Sequence, residues 1–268
     1  MVLFFVIRQT AITIFCALGR KKQVKAIILA AGRGSRMGVA TEDLPKCMAK
    51  LGGDTLLNHL VRNLRKACFE SDDIGIVTGY KREKINLDGT TFFYNTEWEK
   101  TNMFYSLLKA SEWLESESCL VCYSDIYISP NTIELLKNAE GDIAITSYTE
   151  YLKLWQMRFD NPLVDLEAFK LEGNKLIKIG NRPKYLSEVQ GQFMGLLRFT
   201  PRGWKTVIEA TKTRLPKPIE KIDMTGLLQH LVELGHGIEV LDTDDLWLEV
   251  DSQEDIVVYE EHFKLSLY

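Results

Sequence analysis

The sequence predicts an α/β protein built on one largely parallel sheet that is flanked by helices. From residue 24 onward, short apolar runs alternate with amphipathic stretches, which is the pattern of strands connected by crossover helices. The length of 268 residues and the hydrophobic content of 46% are also sufficient for one sizeable core. We therefore expect one domain over residues 24–268, preceded by an apolar extension over residues 1–23.

The apolar runs that we predict as strands are 25–29, 74–78, 91–94, 119–123 and 143–147. Segments 56–67 and 103–114 lie between these runs and place apolar residues three and four apart, as helices that pack on a sheet require. Ser129 and Pro130 are residue types typical of an N-cap and a first helical position, so the sequence predicts a further helix over 131–138.

A change of pattern after residue 148 predicts a small α+β insertion over about 149–235. Its expected elements are a hairpin near 169–179, a strand at 193–199, and helices over 204–212 and 223–234. We expect the insertion to cover one edge of the sheet and to form the acceptor side of the site. The chain then returns through apolar runs at 238–241 and 246–250, and Ser252 with Asp255 predicts the start of the last helix.

The extension 1–23 is apolar up to residue 18, with Arg8 near the middle of the run. The run is shorter than the roughly 20 apolar residues of a spanning helix, and a charge within it is unfavourable. Three interpretations stay open: an accessory helix or an upstream start of translation, a helix on a membrane surface, and a true anchor. Membrane contact by this segment is the less favoured expectation.

The overall charge limits the classes of partner. A formal net charge of −4 gives no general excess of Lys and Arg, which argues against a nucleic-acid partner. Any bound anion must then be held by a local cluster of cations. The 5 cysteines are an odd and scattered set, so we expect reduced thiols in a cytoplasmic protein.

The most specific motif is a glycine-rich segment at the end of the first predicted strand: Leu29, Ala30, Ala31, Gly32, Arg33, Gly34, Ser35, Arg36 and Met37. Glycines let backbone N–H groups approach phosphates, while Arg33, Arg36 and the later Lys46 add positive charge. The motif therefore favours a triphosphate-binding loop, and the absence of Gly-Lys-Ser/Thr excludes a Walker loop. A dinucleotide loop with Asp54 as its ribose-binding acid is the alternative, which the three cations disfavour.

This strand, loop and Pro45-Lys46 resemble the opening signature of the nucleotidyltransferases of the sugar-phosphate and choline-phosphate cytidylyltransferase type, and the Ala-Ala-Gly opening is closer to the choline-phosphate branch. The similarity extends to about residue 263 through Leu51-Gly52-Gly53, Val77-Thr78-Gly79-Tyr80, 102–106, Ser124-Asp125 and Glu249-Val250-Asp251. The resemblance implies a Rossmann-like, mostly parallel mixed sheet, a nucleotide bound over the first loop, and a Mg²⁺ ion held by two aspartates. The extension 1–23 lies outside the pattern.

Two aspartates are predicted as the metal ligands. Asp125 follows the strand 119–123 and Asp251 follows the run 246–250. Ligands of open sheets bind at the carboxyl ends of strands, and Mg²⁺ takes one or two carboxylates together with water and phosphate oxygens. Helix capping is the alternative role for each aspartate.

The expected chemistry is attack of an acceptor oxyanion on the α-phosphorus of a nucleoside triphosphate, with loss of pyrophosphate. Positioning and charge neutralisation carry such a reaction. We assign Arg36 to the leaving β and γ phosphates, and Lys46 to the α-phosphate and the acceptor phosphate. No general base is expected because a phosphate acceptor is already ionised near neutral pH.

Base selection is predicted from Gly79 and Tyr80, which end the second strand, and from Asn102 and Ser106, which lie one helical turn apart. Cytosine requires an acceptor for its exocyclic amine and a donor for its carbonyl, and Asn102 with backbone groups offers both. For Asn102 and Ser106, ordinary solvated helix positions are the alternative.

The predicted acceptor-binding residues are Trp155, Arg158, Trp247 and Glu249. Aromatic rings can form a cage for an ammonium group with Glu249 adding negative charge, whereas Arg158 suits an anionic acceptor. The acceptor stays open among phosphocholine, phosphoethanolamine, an aminoalkylphosphonate, a phosphorylated amino acid amide and a sugar 1-phosphate.

The predicted function is transfer of CMP from CTP to a small phosphorylated or phosphonate acceptor, with Mg²⁺ as cofactor, of the kind that serves cell-surface polysaccharide or lipid modification. A sugar-1-phosphate nucleotidyltransferase is the first alternative and a non-catalytic nucleotide-binding protein is the second. A dehydrogenase is the third. A homodimer is compatible with the sequence.

Overall fold

The computed structural model describes residues 24–263. The expectations for the extension 1–23 therefore lie outside the described residues. Within the described range, no helix combines the length and the apolar character needed to cross a bilayer.

The strands in chain order are β1 Val24–Ala30, β2 Lys50–Leu51, β3 Asp54–Thr55, β4 Ile74–Thr78, β5 Thr91–Tyr94, β6 Ser118–Tyr123, β7 Ile126–Ile128, β8 Ile143–Tyr148, β9 Phe169–Glu172, β10 Lys175–Ile179, β11 Gln192–Phe199, β12 Glu239–Thr243 and β13 Trp247–Glu249. The α-helices are α1 Leu56–Lys66, α2 Met103–Leu107, α3 Ser111–Ser116, α4 Pro130–Lys137, α5 Tyr151–Arg158, α6 Pro201–Thr211, α7 Met224–Glu233 and α8 Gln253–His262. Short 3₁₀ segments include Ser35–Thr41 after β1 and Lys46–Met48 before β2.

A nine-stranded mixed sheet has the order β5-β4-β1-β6-β11-β8-β12-β10-β9. β1 pairs in parallel with β4 and β6, whereas β11 runs antiparallel to β6 and β8. The predicted α/β class, with a mostly parallel mixed sheet flanked by helices, is thus confirmed.

Strand β1 shows why the sheet is covered on both faces. Ala26 and Ile28 pack into one hydrophobic core with α1, α4 and α8, whereas Ile27 and Leu29 pack into a second core with α2, α3, α6 and α7. Successive side chains of a strand point to opposite faces, so a strand buried on both faces has a continuous apolar sequence. This burial fixes β1 and holds the loop that follows it.

The sequence predicts that the segment 149–235 covers one edge of the sheet, and the structure agrees with this only in part. The β9-β10 hairpin does form an edge, but β11 lies between β6 and β8 in the middle of the sheet. The run 246–250 contains strand β13, which pairs with β7 outside the large sheet. Segment 103–114 is not one helix, since the 3₁₀ turn Leu108–Ala110 separates α2 from α3.

The cysteines divide into two groups. Cys47, Cys119 and Cys122 carry free, buried thiols. Cys68 is disulfide-bonded, so the expectation of reduced thiols holds for these three residues and is wrong for Cys68.

Candidate active site

Strand pairing brings the two predicted metal-binding aspartates together. Asp125 follows β6 and precedes β7, and β13 pairs antiparallel with β7 so that Glu249 lies opposite Ile126. The ladder continues past β13, where the backbone N–H of Val250 donates to the carbonyl oxygen of Asp125 at 3.0 Å. Asp251, the next residue, is therefore placed beside Asp125.

Lys46 lies between the two carboxylates. Its Nζ is 2.6 Å from Oδ2 of Asp125 and 2.7 Å from Oδ1 of Asp251. Arg36 adds a second cation, with Nη2 at 2.8 Å from the same Oδ1 of Asp251. The four residues predicted as catalytic thus form one cluster in the fold.

Gly34 allows the glycine-rich loop to lie against this cluster. Its φ of 74° is in the left-handed region, where glycine has no steric penalty. A Cβ at Gly34 would lie 2.6 Å from Cβ of Lys46, so a side chain there would displace the lysine. A Cβ at Gly32, in contrast, would meet no atom within 4 Å, which leaves space above the loop.

The cluster shifts the titration of its members. Burial of Lys46 opposes its charged form, but the attraction of Asp125 and Asp251 outweighs burial and raises the pKa of Lys46. Burial likewise opposes the ionised form of Asp251, but Lys46 and then Arg36 outweigh it, so the pKa of Asp251 is lowered. Burial raises the pKa of Glu249 to about 8, and the nearby charges of Asp251 and Asp125 add to this rise.

The donor set suits a magnesium ion. Oδ1 of Asp125 is buried and has no hydrogen-bond partner in the described structure. Over residues 24–263 there is no group of three or more His, Cys, Asp or Glu side chains that could hold a metal ion. Mg²⁺ does not require such a group, because it usually keeps several waters and takes one or two carboxylates together with substrate phosphates. Asp125 and Asp251 therefore fit this ion.

Gly79 and Tyr80 pack against the glycine-rich loop. The backbone N–H of Tyr80 donates to the carbonyl oxygen of Ala31 at 3.0 Å, and a Cβ at Gly79 would lie 2.6 Å from Cβ of Trp98. The ring of Tyr80 contacts that of Trp98 edge to face at 5.1 Å, and the guanidinium of Arg33 lies 5.8 Å from the centre of the Tyr80 ring. The structure therefore brings these predicted nucleotide-binding residues together.

Asn102 and Ser106 have roles within the protein. The side chain of Asn102 caps α2 by accepting from the backbone N–H of Met103 at 2.8 Å. Ser106 is buried, and its hydroxyl accepts from Nδ2 of Asn95 at 3.0 Å. Both side chains thus stabilise local structure, and their part in base selection stays a prediction.

The two tryptophans predicted for the acceptor do not form an open cage. Trp155 and Trp247 are both buried, and their rings stack at 5.9 Å with an interplanar angle of 25°. Nε1 of Trp247 donates to the carbonyl oxygen of Met194 at 3.0 Å, and Nε1 of Trp155 donates to Asp165 at 3.1 Å. Because the rings are packed and their N–H groups are paired, they belong to the core under the site.

Arg158 is buried and paired within the protein, and its contact with an acceptor stays a prediction. Only 1% of its side chain is exposed, and Nε donates to Oδ1 of Asp255 at 2.8 Å. Nη1 lies 3.9 Å from a carboxylate oxygen of Glu249, which is also a predicted acceptor residue. A cavity of about 360 Å³ adjoins this region, and its lining includes Arg36, Arg158, Asp165 and Asp251.

Two acidic residues were not assigned a site role from the sequence. The sequence predicts Asp255 only as part of a capping box, although it also pairs with Arg158. Glu167 received no role, yet burial raises its pKa to about 7, with contributions from Asp223 and Asp165. The signal for Glu167 was its position between apolar neighbours, since it precedes a run that enters β9.

The raised pKa of Glu167 gives a prediction for stability. The pKa of this carboxyl is higher in the folded protein than in the unfolded chain. The free energy of unfolding therefore falls as pH rises from about 4.5 to about 7, because the carboxyl ionises in the unfolded chain first. Glu167→Gln is expected to stabilise the protein at pH 8 by about 2 kcal/mol and to have little effect near pH 4. Chemical unfolding at both pH values tests this, with the exposed Glu172→Gln as control. Equal effects at the two pH values would contradict a raised pKa.

Comparison with known proteins gives the family. The MobA-like NTP transferase domain matches residues 26–174, which include the glycine-rich loop, Lys46 and Asp125. This chain belongs to that family. The predicted resemblance to nucleotidyltransferases is thereby confirmed, and the protein is a nucleotidyltransferase.

Relatives of this NTP transferase extend the match beyond that domain. CTP:phosphoglutamine cytidylyltransferase of Campylobacter jejuni is 30% identical over 252 residues, which cover 88% of this chain and 98% of the relative. The bifunctional protein GlmU of Methanococcus maripaludis is 24% identical over 248 residues, covering 89% of this chain and 54% of the relative.

Solved structures share the fold of this NTP transferase. The inositol-1-phosphate CTP transferase of T. maritima has a TM-score of 0.67 at 21% identity, with 90% of this chain and 96% of that chain covered. CTP:phosphocholine cytidylyltransferase of Streptococcus pneumoniae has a TM-score of 0.63 at 20% identity, with 89% and 98% covered.

Proposed function

We propose that this NTP transferase is a Mg²⁺-dependent cytidylyltransferase that transfers CMP from CTP to the phosphate of a small acceptor and releases pyrophosphate. The observation that supports it most is the convergence of Asp125 and Asp251 on Lys46, with Arg36 beside them, below the glycine-rich loop. The choice of CTP is supported by the names of the Campylobacter relative and of both structural neighbours.

The chain's own residues account for most of the proposed mechanism. Mg²⁺ held by Asp125 and Asp251 would supply charge neutralisation at the phosphates. The ammonium of Lys46 contacts both aspartates, so it lies where the phosphates bound by the Mg²⁺ ion would be. There it would hold the α-phosphate and the acceptor phosphate close enough to react. Arg36, whose side chain is 69% exposed, reaches out to the leaving pyrophosphate. No residue has to remove a proton from an acceptor phosphate that is already ionised.

The acceptor that we favour is a phosphorylated amino acid amide, since the Campylobacter relative is named for phosphoglutamine. Asp165 lines the cavity beside the cluster and suits an acceptor with an amino group. Phosphocholine, phosphoethanolamine and an aminoalkylphosphonate share that feature and are the comparison substrates. A sugar 1-phosphate stays the alternative acceptor. The cytoplasmic location and the homodimer stay predictions.

A pyrophosphate-release screen tests the proposal. Four nucleoside triphosphates are combined with each acceptor in the presence of Mg²⁺, and release is expected with CTP and phosphoglutamine above all other pairs. Faster release with UTP or dTTP and a sugar 1-phosphate would replace the proposal by the first alternative. Nucleotide binding without release from any pair would favour the non-catalytic alternative.

Arg36→Ala is expected to lower kcat/KM by about a hundredfold or more, the typical effect of removing one group that stabilises a developing oxyanion. Because the Arg36 side chain is largely exposed, the variant should keep the melting temperature of the wild type. Arg202→Ala on α6 is the control, since Arg202 is exposed and pairs only with Asp142 in the described structure. Turnover of Arg36→Ala close to that of the control would remove Arg36 from the mechanism.

A further inference from the structure

We infer that Arg158 and Asp255 form a positioning pair that orients Asp251 for metal binding. Both side chains are buried, at 1% and 7% exposure, and contact each other, so we place their effect on the site through Asp251. The inference rests on the proposed function, because it concerns the Mg²⁺ ligand of that same site.

The first observation is that the two oxygens of Asp251 have different partners. Oδ1 faces the cluster, at 2.7 Å from Nζ of Lys46 and 2.8 Å from Nη2 of Arg36. Oδ2 faces the interior, at 3.5 Å from Nη2 of Arg158. A cation on the interior side therefore fixes the rotation of the carboxylate and leaves Oδ1 directed to the site.

The second observation is that Asp255 joins Arg158 to the backbone of Asp251. Oδ1 of Asp255 accepts from Nε of Arg158 at 2.8 Å, and Oδ2 accepts from Nη2 at 3.2 Å. The same Oδ2 also accepts from the backbone N–H groups of Asp251 at 2.8 Å and Ser252 at 2.9 Å. One carboxylate thus fixes both the main chain at Asp251 and the guanidinium that faces its side chain.

The third observation is the surroundings of Arg158. Its side chain is 1% exposed, and among the described residues Nη1 has no hydrogen-bond partner, although it lies 3.9 Å from both Asp165 and Glu249. Holding α5 against α8 does not require a buried ion pair, because apolar residues of similar volume often stabilise a protein as well or better. Residues that orient a metal ligand, in contrast, contribute to metal affinity without touching the ion.

The test compares metal binding in two variants. Asp255→Asn keeps a carbonyl oxygen for the backbone N–H groups but replaces the second acceptor by a donor that repels Arg158. Arg158→Lys keeps the charge but loses the planar pairing with Asp255. In the presence of CTP, Mn²⁺ binding followed by electron paramagnetic resonance is expected to weaken about tenfold to a hundredfold in each variant. The Mg²⁺ concentration for half-maximal turnover should rise by the same factor.

The matched control is Arg62→Lys, which alters an arginine paired with Asp54 that has no contact with the cluster among the described residues. It is expected to keep the wild-type Mn²⁺ affinity even if its melting temperature falls. At saturating Mg²⁺, Asp255→Asn should recover most of its kcat with a nearly unchanged KM for CTP. A purely structural role would lower the melting temperature without any change in metal affinity.

Mn²⁺ affinity equal to that of the wild type in a folded Asp255→Asn variant would overturn the inference. If Arg158→Lys does not fold, Asp255→Asn alone decides, because Asn retains the helix-capping interaction. Failure of the proposed function is distinguishable: the wild type would then release no pyrophosphate with any substrate pair, whatever the variants do to Mn²⁺ binding.

Discussion

Asp125→Asn and Asp251→Asn are each expected to lower kcat/KM by about a thousandfold, since losing several kcal/mol of metal-based charge stabilisation corresponds to that factor. Asn keeps the size and hydrogen-bonding ability of Asp but loses its negative charge. The two side chains meet on one atom, Nζ of Lys46, so one ion can contact both. Pyrophosphate release measured over a wide range of Mg²⁺ concentrations gives both the loss and its dependence on the metal.

The double variant separates one shared ion from two structural sites. Residues that act as a unit are non-additive, so the double variant should be little worse than the poorer single variant. High Mg²⁺ should restore part of the activity of each single variant. Asp72→Asn, at an exposed aspartate far along the chain from both ligands, is the control. Losses that multiply, without rescue by Mg²⁺, would show that at least one of these aspartates is structural.

The central strands were predictable because their signal is local. The expected strand at 74–78 is β4 itself, and the run 119–123 lies within β6. Burial on both faces requires an uninterrupted apolar run, and such a run is visible in the sequence. Asp125 follows one of these runs, so its position at the carboxyl end of β6 could also be inferred.

The position of β11 could not be inferred in the same way. An antiparallel strand in the middle of a sheet can have the same apolar pattern as one at an edge. The residues of a strand therefore do not determine its position in the strand order. β11 separates β6 from β8 although both lie earlier in the chain. The expectation that 149–235 only covers an edge failed at this element for that reason.

The acceptor residues show the same limit for side chains. The sequence predicts Trp155 and Arg158 as acceptor-binding residues, but the exposure of their side chains depends on partners far along the chain. Arg158 is buried by Asp255, and Trp155 is buried by Trp247. Only the packing of α5 against α8 and β13 determines that both side chains lie beneath the site.

Lys46→Met is expected to lower kcat about a hundredfold to a thousandfold, with a smaller rise in the KM for CTP, if the ammonium contacts the transferring phosphoryl group. Steady-state kinetics at saturating Mg²⁺ separates the two parameters. Lys50→Met, at an exposed lysine of β2, is the matched control. A change confined to the KM would move Lys46 from the chemical step to ground-state binding.

The cluster also predicts how this variant unfolds. The side chains of Lys46, Asp125 and Asp251 are 12%, 18% and 12% exposed, so removing the ammonium leaves two poorly solvated carboxylates facing each other. Breaking such a pair should cost about 2–3 kcal/mol without metal, less than for a fully buried pair. Because Lys46 lowers the pKa of Asp251, its contribution is present at neutral pH and is lost as pH falls and the Asp251 carboxyl becomes protonated. The stability difference between wild type and Lys46→Met should therefore shrink on acidification, and Mg²⁺ should reduce it at pH 7 by taking the place of the ammonium. A difference independent of both pH and Mg²⁺ would show that Lys46 stabilises the fold by packing alone.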